Sequence, residues 1–142
     1  MWETAYQDRF ADWVCLRQTI QSHDLPTQLL TINNWWFRAP IVNKTITWSD
    51  SAKWPNPWQL LTNNGYCDLA RALGIVYTIM LTECLNYTDL KIIQIKEDNL
   101  VLVDGGKYIL NWAPGEMLNT HSNPITTVKN KIDSSELASF LQ

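Results

Sequence analysis

Trp54-Pro55-Asn56-Pro57-Trp58-Gln59-Leu60-Leu61-Thr62-Asn63-Asn64-Gly65-Tyr66-Cys67-Asp68-Leu69-Ala70-Arg71-Ala72-Leu73-Gly74-Ile75 decides the fold. Asn56 suits an N-cap and Pro57 a first helical residue, so a short helix runs through Trp58, Leu60 and Leu61. Asn63-Asn64-Gly65 breaks it. A second helix is predicted from Tyr66 or Cys67 to about Leu85. After Asp68 and Arg71 it carries no charge until Glu83. A helix apolar nearly all round belongs inside a core. Gly74 costs a helix interior about 1 kcal/mol against Ala, so close approach of a neighbour is expected there. Cys67 falls at the first turn, where unpaired N–H groups and the helix dipole favour a thiolate. It is a nucleophile, the remains of one, or a small buried hydrophobe.

Downstream the chemistry changes. Leu90 to Lys96 is rich in β-branched residues and reads as a strand, Glu97-Asp98-Asn99 as a turn, and Leu100 to Val103 as a second strand. Gly105-Gly106 gives a tight hairpin turn into a third strand from Lys107 to Trp112. Asp104 reads as a turn residue bonding that hairpin's backbone. Pro114 opens a short helical turn through Glu116, Met117 and Leu118. An edge strand is expected within Pro124 to Ile132. Asp133-Ser134-Ser135-Glu136 has capping-box spacing and starts a last helix through Leu137, Phe140 and Leu141.

Upstream, Trp2, Tyr6, Phe10, Trp13 and Val14 recur at helical spacing over 2–22. Their face packs on the core or docks partly on another subunit. His23-Asp24-Leu25-Pro26 ends that helix. Leu29 to Ile32 is a short apolar run. Trp35, Trp36 and Phe37 cannot all share one face, so Asn33 to Pro40 is expected to be irregular and to expose aromatic surface. Ile41 to Trp48 reads as a short strand. The expected fold is α+β: an N-terminal helix, and a central buried helix packed on a three- to four-stranded antiparallel sheet. It forms a single domain over 1–142, with its core at 54–112 and a C-terminal extension at 113–142.

The chain's 142 residues suffice for one sizeable core. A formal charge of −3 offers no basic field for nucleic acid. No run reaches the roughly 18 apolar residues that span a bilayer. Met1-Trp2-Glu3-Thr4 is unlike a secretory leader, so a reducing cytoplasm is the expected place of synthesis. The three cysteines lack CxxC spacing, which argues against a disulfide framework or a zinc site; no metal and no cofactor is expected. Cys15 and Cys84 read as core or helix-face residues. Eight tryptophans exceed what a chain of this length commonly needs, and some are expected to meet a partner.

A helix led by Cys67 and packed on an antiparallel sheet resembles the papain-like and transglutaminase-like domains. The resemblance lies in Trp54-Pro55-Asn56-Pro57-Trp58, Leu60-Leu61, Gly65-Tyr66-Cys67-Asp68-Leu69-Ala70 and Leu73-Gly74-Ile75, and covers roughly Trp54 to Asp104. In that family an acidic residue closes a strand after an apolar run, as Asp104 does after Leu100-Val101-Leu102-Val103. The catalytic His opens the strand before it. The matching region, Asp89 to Ile92, has none, and the chain holds only His23 and His121. A thiol without an imidazole lacks its general base, so no catalytic residue is favoured. The alternative is a cysteine-dependent hydrolase or acyltransferase with Cys67 as nucleophile, His121 as base and Asp104 as orienter.

Asn33-Asn34-Trp35-Trp36-Phe37-Arg38-Ala39-Pro40, Trp54-Pro55-Asn56-Pro57-Trp58 and Cys67-Asp68-Leu69-Ala70-Arg71-Ala72-Leu73-Gly74 also resemble segments of small proteins of contractile-tailed bacteriophages, notably cyanophages. That resemblance implies a non-enzymatic virion part, of the tail or baseplate, with other phage structural proteins as partners. Trp35, Trp36, Phe37, Trp54 and Trp58 are then the expected docking anchors. An accessory factor binding a host protein would use the same aromatic surface.

Overall fold

A computed structural model describes residue 2, residues 6–83 and residues 85–141. Helix α1 (Tyr6–Thr19) leads into α2 (Leu25–Phe37), the short α3 (Pro57–Leu61) and the central α4 (Asp68–Leu81). Five strands follow: β1 (Leu90–Ile95), β2 (Asp98–Val103), β3 (Tyr108–Ala113), β4 (Glu116–Leu118) and β5 (Asn130–Asp133). Helix α5 (Ser134–Leu137) comes after them. The strands form one antiparallel sheet in the order β4-β3-β2-β1-β5. The class is α+β, as expected, with a wider sheet than the three or four strands anticipated.

Alternation along the strands gives the sheet two apolar faces. Leu90, Ile92, Val101, Val103 and Leu110 face the helices and join the main core. Ile93, Leu100, Leu102 and Ile109 face the other way, where Leu118 and Ile125 cover them. Helix α4 is the hub of the main core, buried from Ala72 to Ile79. Gly74 is there for the reason its position suggested: a Cβ on it would lie 2.5 Å from Trp36 Cη2.

Helix α2 was not expected. Asp24 is its N-cap, accepting from Thr27 N at 3.1 Å, and Pro26 sits in its first turn. The segment read as the end of one helix is therefore also the start of the next, because Pro is tolerated where the N–H has no intrahelical partner. Three adjacent aromatics then splay around a helix, with Trp35 and Trp36 inward and Phe37 half-buried. Ile41 to Trp48 forms no strand; it makes one isolated bridge, Ile41 to Tyr66, and otherwise runs irregularly. Its β-branched residues find no ladder to join. Glu116-Met117-Leu118 is strand β4, not a helical turn. The core is not confined to 54–112, since Trp13, Ile20, Leu29, Ile32 and Leu137 are buried in the same cluster. The 113–142 extension supplies both edge strands.

Tryptophan fills the helical layer. Trp2, Trp35 and Trp36 contact one another at 4.7–5.2 Å between ring centroids. Thr78 Oγ1 accepts from both Trp13 Nε1 and Trp36 Nε1, each at 2.9 Å, and donates to Gly74 O at 2.7 Å. One hydroxyl thus spends its donor and both acceptor sites on buried partners. Trp35 Nε1 donates to Asp12 Oδ2 at 2.6 Å. Of the expected docking anchors, Trp35, Trp36 and Trp54 are only 3%, 1% and 3% exposed. They pack inside the monomer. Trp58 and Phe37 are half-buried, and Phe37 lies 3.8 Å beneath the Arg71 guanidinium. Cys15 is exposed on α1; Cys84 lies outside the described residues.

Candidate functional site at the head of the central helix

Cys67 is the N-cap of α4, with extended backbone. Thr45 Oγ1 donates to its sulfur at 3.3 Å. Burial pushes the thiol up. Hydrogen bonds from the Thr45 hydroxyl and from backbone groups of Thr45, Ile46 and Ala70 outweigh that and hold it below the ordinary thiol range. The residue is 8% exposed. It borders a groove of about 1050 Å³ between the 42–49 segment, the β1–β2 hairpin and the approach to β5. The groove's charges balance: Lys44 and Lys129 against Asp68 and Glu97.

Beneath the groove lies a network whose members are far apart in the chain. Asp68 Oδ2 accepts from Asn99 N at 2.8 Å and Asn99 Nδ2 at 3.1 Å, while Oδ1 accepts from Arg71 Nη2 at 3.0 Å. Arg71 Nε donates to Asn111 Oδ1 at 2.6 Å, and Asn111 Nδ2 donates to Asn99 O at 2.7 Å. Asn111 N donates to Asn33 Oδ1 at 2.9 Å. Asn111 sits in β3 with φ of 67°, a conformation Asn tolerates better than most residues. Asn99 Oδ1 accepts from Trp48 Nε1 at 2.8 Å, which fixes the indole at the groove wall. An Asn inside a strand, where β propensity is low, was the available signal for Asn111. Nothing in the sequence tied it to Asp68, 43 positions away.

The structure does not bring Cys67, His121 and Asp104 together. Cys67 and Asp68 lie by Asn99, near the start of β2, whereas Asp104 follows its end, about 16 Å along an extended strand. Asp104 Oδ1 instead accepts from Thr88 N at 2.6 Å and Thr88 Oγ1 at 3.0 Å. His121 is exposed beside Thr120, whose N donates to Gly106 O at 3.0 Å, so it too belongs to the far end of the sheet. His23 is exposed at the α1–α2 junction. Among the described residues no histidine lines the groove. Nor does any group of three or more His, Cys, Asp or Glu among them converge as metal ligands. No helix among them is long and apolar enough to cross a membrane.

Comparison of the chain with family models, curated proteins and solved structures gave no match.

Proposed function

We propose that this chain is a non-enzymatic structural protein of a contractile-tailed bacteriophage virion, part of the tail or baseplate, on a transglutaminase-like fold that has lost its base. The observation that carries the non-enzymatic half is the identity of the residue beside Cys67. The strand that opens by the cysteine is β2 rather than β1. In the family arrangement the base then corresponds to Asn99 and the orienting residue to Asn111, rather than to the Asp89–Ile92 region and Asp104. An amide has no basic nitrogen, and Asn99 already gives its side chain to Trp48 and Asp68. The virion half rests on the sequence resemblance, with other phage structural proteins as partners.

Two measurements test the two halves. Mass spectrometry of purified particles is expected to find the chain at constant stoichiometry after salt washing. A chain abundant in the lysate and absent from particles would overturn the virion reading in favour of an accessory factor. An Asn99→His variant is expected to label faster at Cys67 with a small electrophile than the parent does. A second reading, a cysteine hydrolase, draws on the depressed thiol at the groove. Turnover of acyl esters that disappears in Cys67→Ser and persists in His121→Ala would favour it.

A further inference from the structure

The groove beside Cys67 has a lining that points to a ligand class. Four side-chain amides, Asn43, Gln94, Asn99 and Asn130, share it with Trp48 and Thr47. Each amide presents donors and an acceptor, and a sugar hydroxyl is also both. Two of the amides are already locked together, with Asn130 Nδ2 donating to Gln94 Oε1 at 2.6 Å. That contact uses the Gln94 carbonyl and one Asn130 donor, and leaves the Gln94 NH2 and the Asn130 carbonyl for other bonds. Trp48 is held at its Nε1 by Asn99 and packs edge-on against Trp54 at 5.4 Å, so its ring does not have to be ordered on binding. An indole offers an apolar body at a polar wall, which suits the C–H face of a pyranose ring.

Other ligand classes fit less well. The balanced charges leave no cationic pocket for phosphate, and Asp68 in the first turn of α4 opposes an anion at that helix end. An extended peptide docks by adding to a free strand edge. Here Gln94 and Asn99 lie on strands paired on both sides, β1 between β2 and β5, and β2 between β1 and β3, while the edge strand β5 that carries Asn130 is only four residues long. Recognition falls to side-chain amides rather than to a backbone ladder.

We propose that this groove binds a neutral oligosaccharide, with Trp48 as the stacking surface and Gln94, Asn130 and Asn43 as the hydroxyl-bonding groups. The site is independent of the virion reading and of any chemistry at Cys67. The test is two-dimensional NMR of the ¹⁵N-labelled protein titrated with maltotriose, cellotriose, tri-N-acetylchitotriose and mannotriose, each to about 10 mM, near the weak end of specific binding. The expected result is saturable movement of the Trp48 indole and the Gln94 and Asn130 side-chain amide signals with at least one of them. Gln94→Ala and Asn43→Ala, both at solvent-accessible positions, are expected to weaken that binding about tenfold with the rest of the spectrum unchanged. No saturable movement with any trisaccharide would overturn the proposal. Binding that survives both substitutions unweakened, or stronger movement of the same signals with an Ala-Ser hexapeptide, would also overturn it.

Discussion

Helix α4 carries two polar anchors ten residues apart, and they live under opposite conditions. Thr78 is fully buried among tryptophans, and all of its hydrogen-bonding capacity is spent on the interior. Asp68 gathers at least as many partners, but its side chain is 37% exposed at the groove. A buried group that loses its partner has no substitute, whereas a group at a wet wall falls back on water. The same helix thus fixes the fold toward its C-terminal end and holds a solvated, pre-bonded surface at its head.

The sharpest way to break this comparison is Trp36→Ala. It removes a buried ring and leaves Thr78 with a vacant acceptor site, and the expected loss is about 3–5 kcal/mol in urea unfolding. A cost near that of an ordinary surface substitution would mean the tryptophan layer is not the core. Thr78→Val keeps the volume and strips two indole N–H groups of their acceptor; about 2–4 kcal/mol is expected by the same measurement. Asp68→Ala removes more hydrogen bonds on paper, yet about 1–2 kcal/mol is expected, because the space the part-exposed carboxylate vacates opens to the groove and lets water reach the donors it leaves. An Asp68 effect as large as that of Thr78 would show that the groove end is as sealed as the tryptophan end.

The smallest effect on stability is expected at the groove itself. Thr45→Val should move unfolding by less than about 0.5 kcal/mol at neutral pH. It should shift the pH profile of Cys67 alkylation upward. Labelling follows the thiolate, and the Thr45 hydroxyl is one of the groups holding the folded thiol below its ordinary range. By linkage, the native protein gains stability as pH rises through the folded value toward the ordinary one, and the variant should lose part of that gain. An unmoved profile would place the thiol's control elsewhere.

What could be read from the sequence divides along similar lines. Strands β1 to β3, the Asn56 cap, the burial of α4 and the crowding at Gly74 rest on local alternation, turn chemistry or composition, and each was legible. Helix α2 was not, because Asp24 and Pro26 serve equally to stop one helix and to start another. The burial of Trp35, Trp36 and Trp54 was not legible, because single-sequence reading counts aromatics without knowing which faces meet. The site was legible only at Cys67. Asn33, Asp68, Asn99 and Asn111 come from four separate elements or their ends, and their convergence is a property of the packed sheet. His121 and Asp104 were candidates by residue type alone, and strand length keeps them from the thiol.

The sheet ends on its two shortest strands, β4 with three residues and β5 with four. The register between β3 and β4 also slips, between Ile109 and Ala113. A row of unpaired amides must be long and regular to recruit another chain. Here each border is only three or four residues long before the regular strand ends. Copies of this protein crowded side by side would find little to splice onto, so close neighbours can stay separate folded units instead of merging into a continuous ribbon.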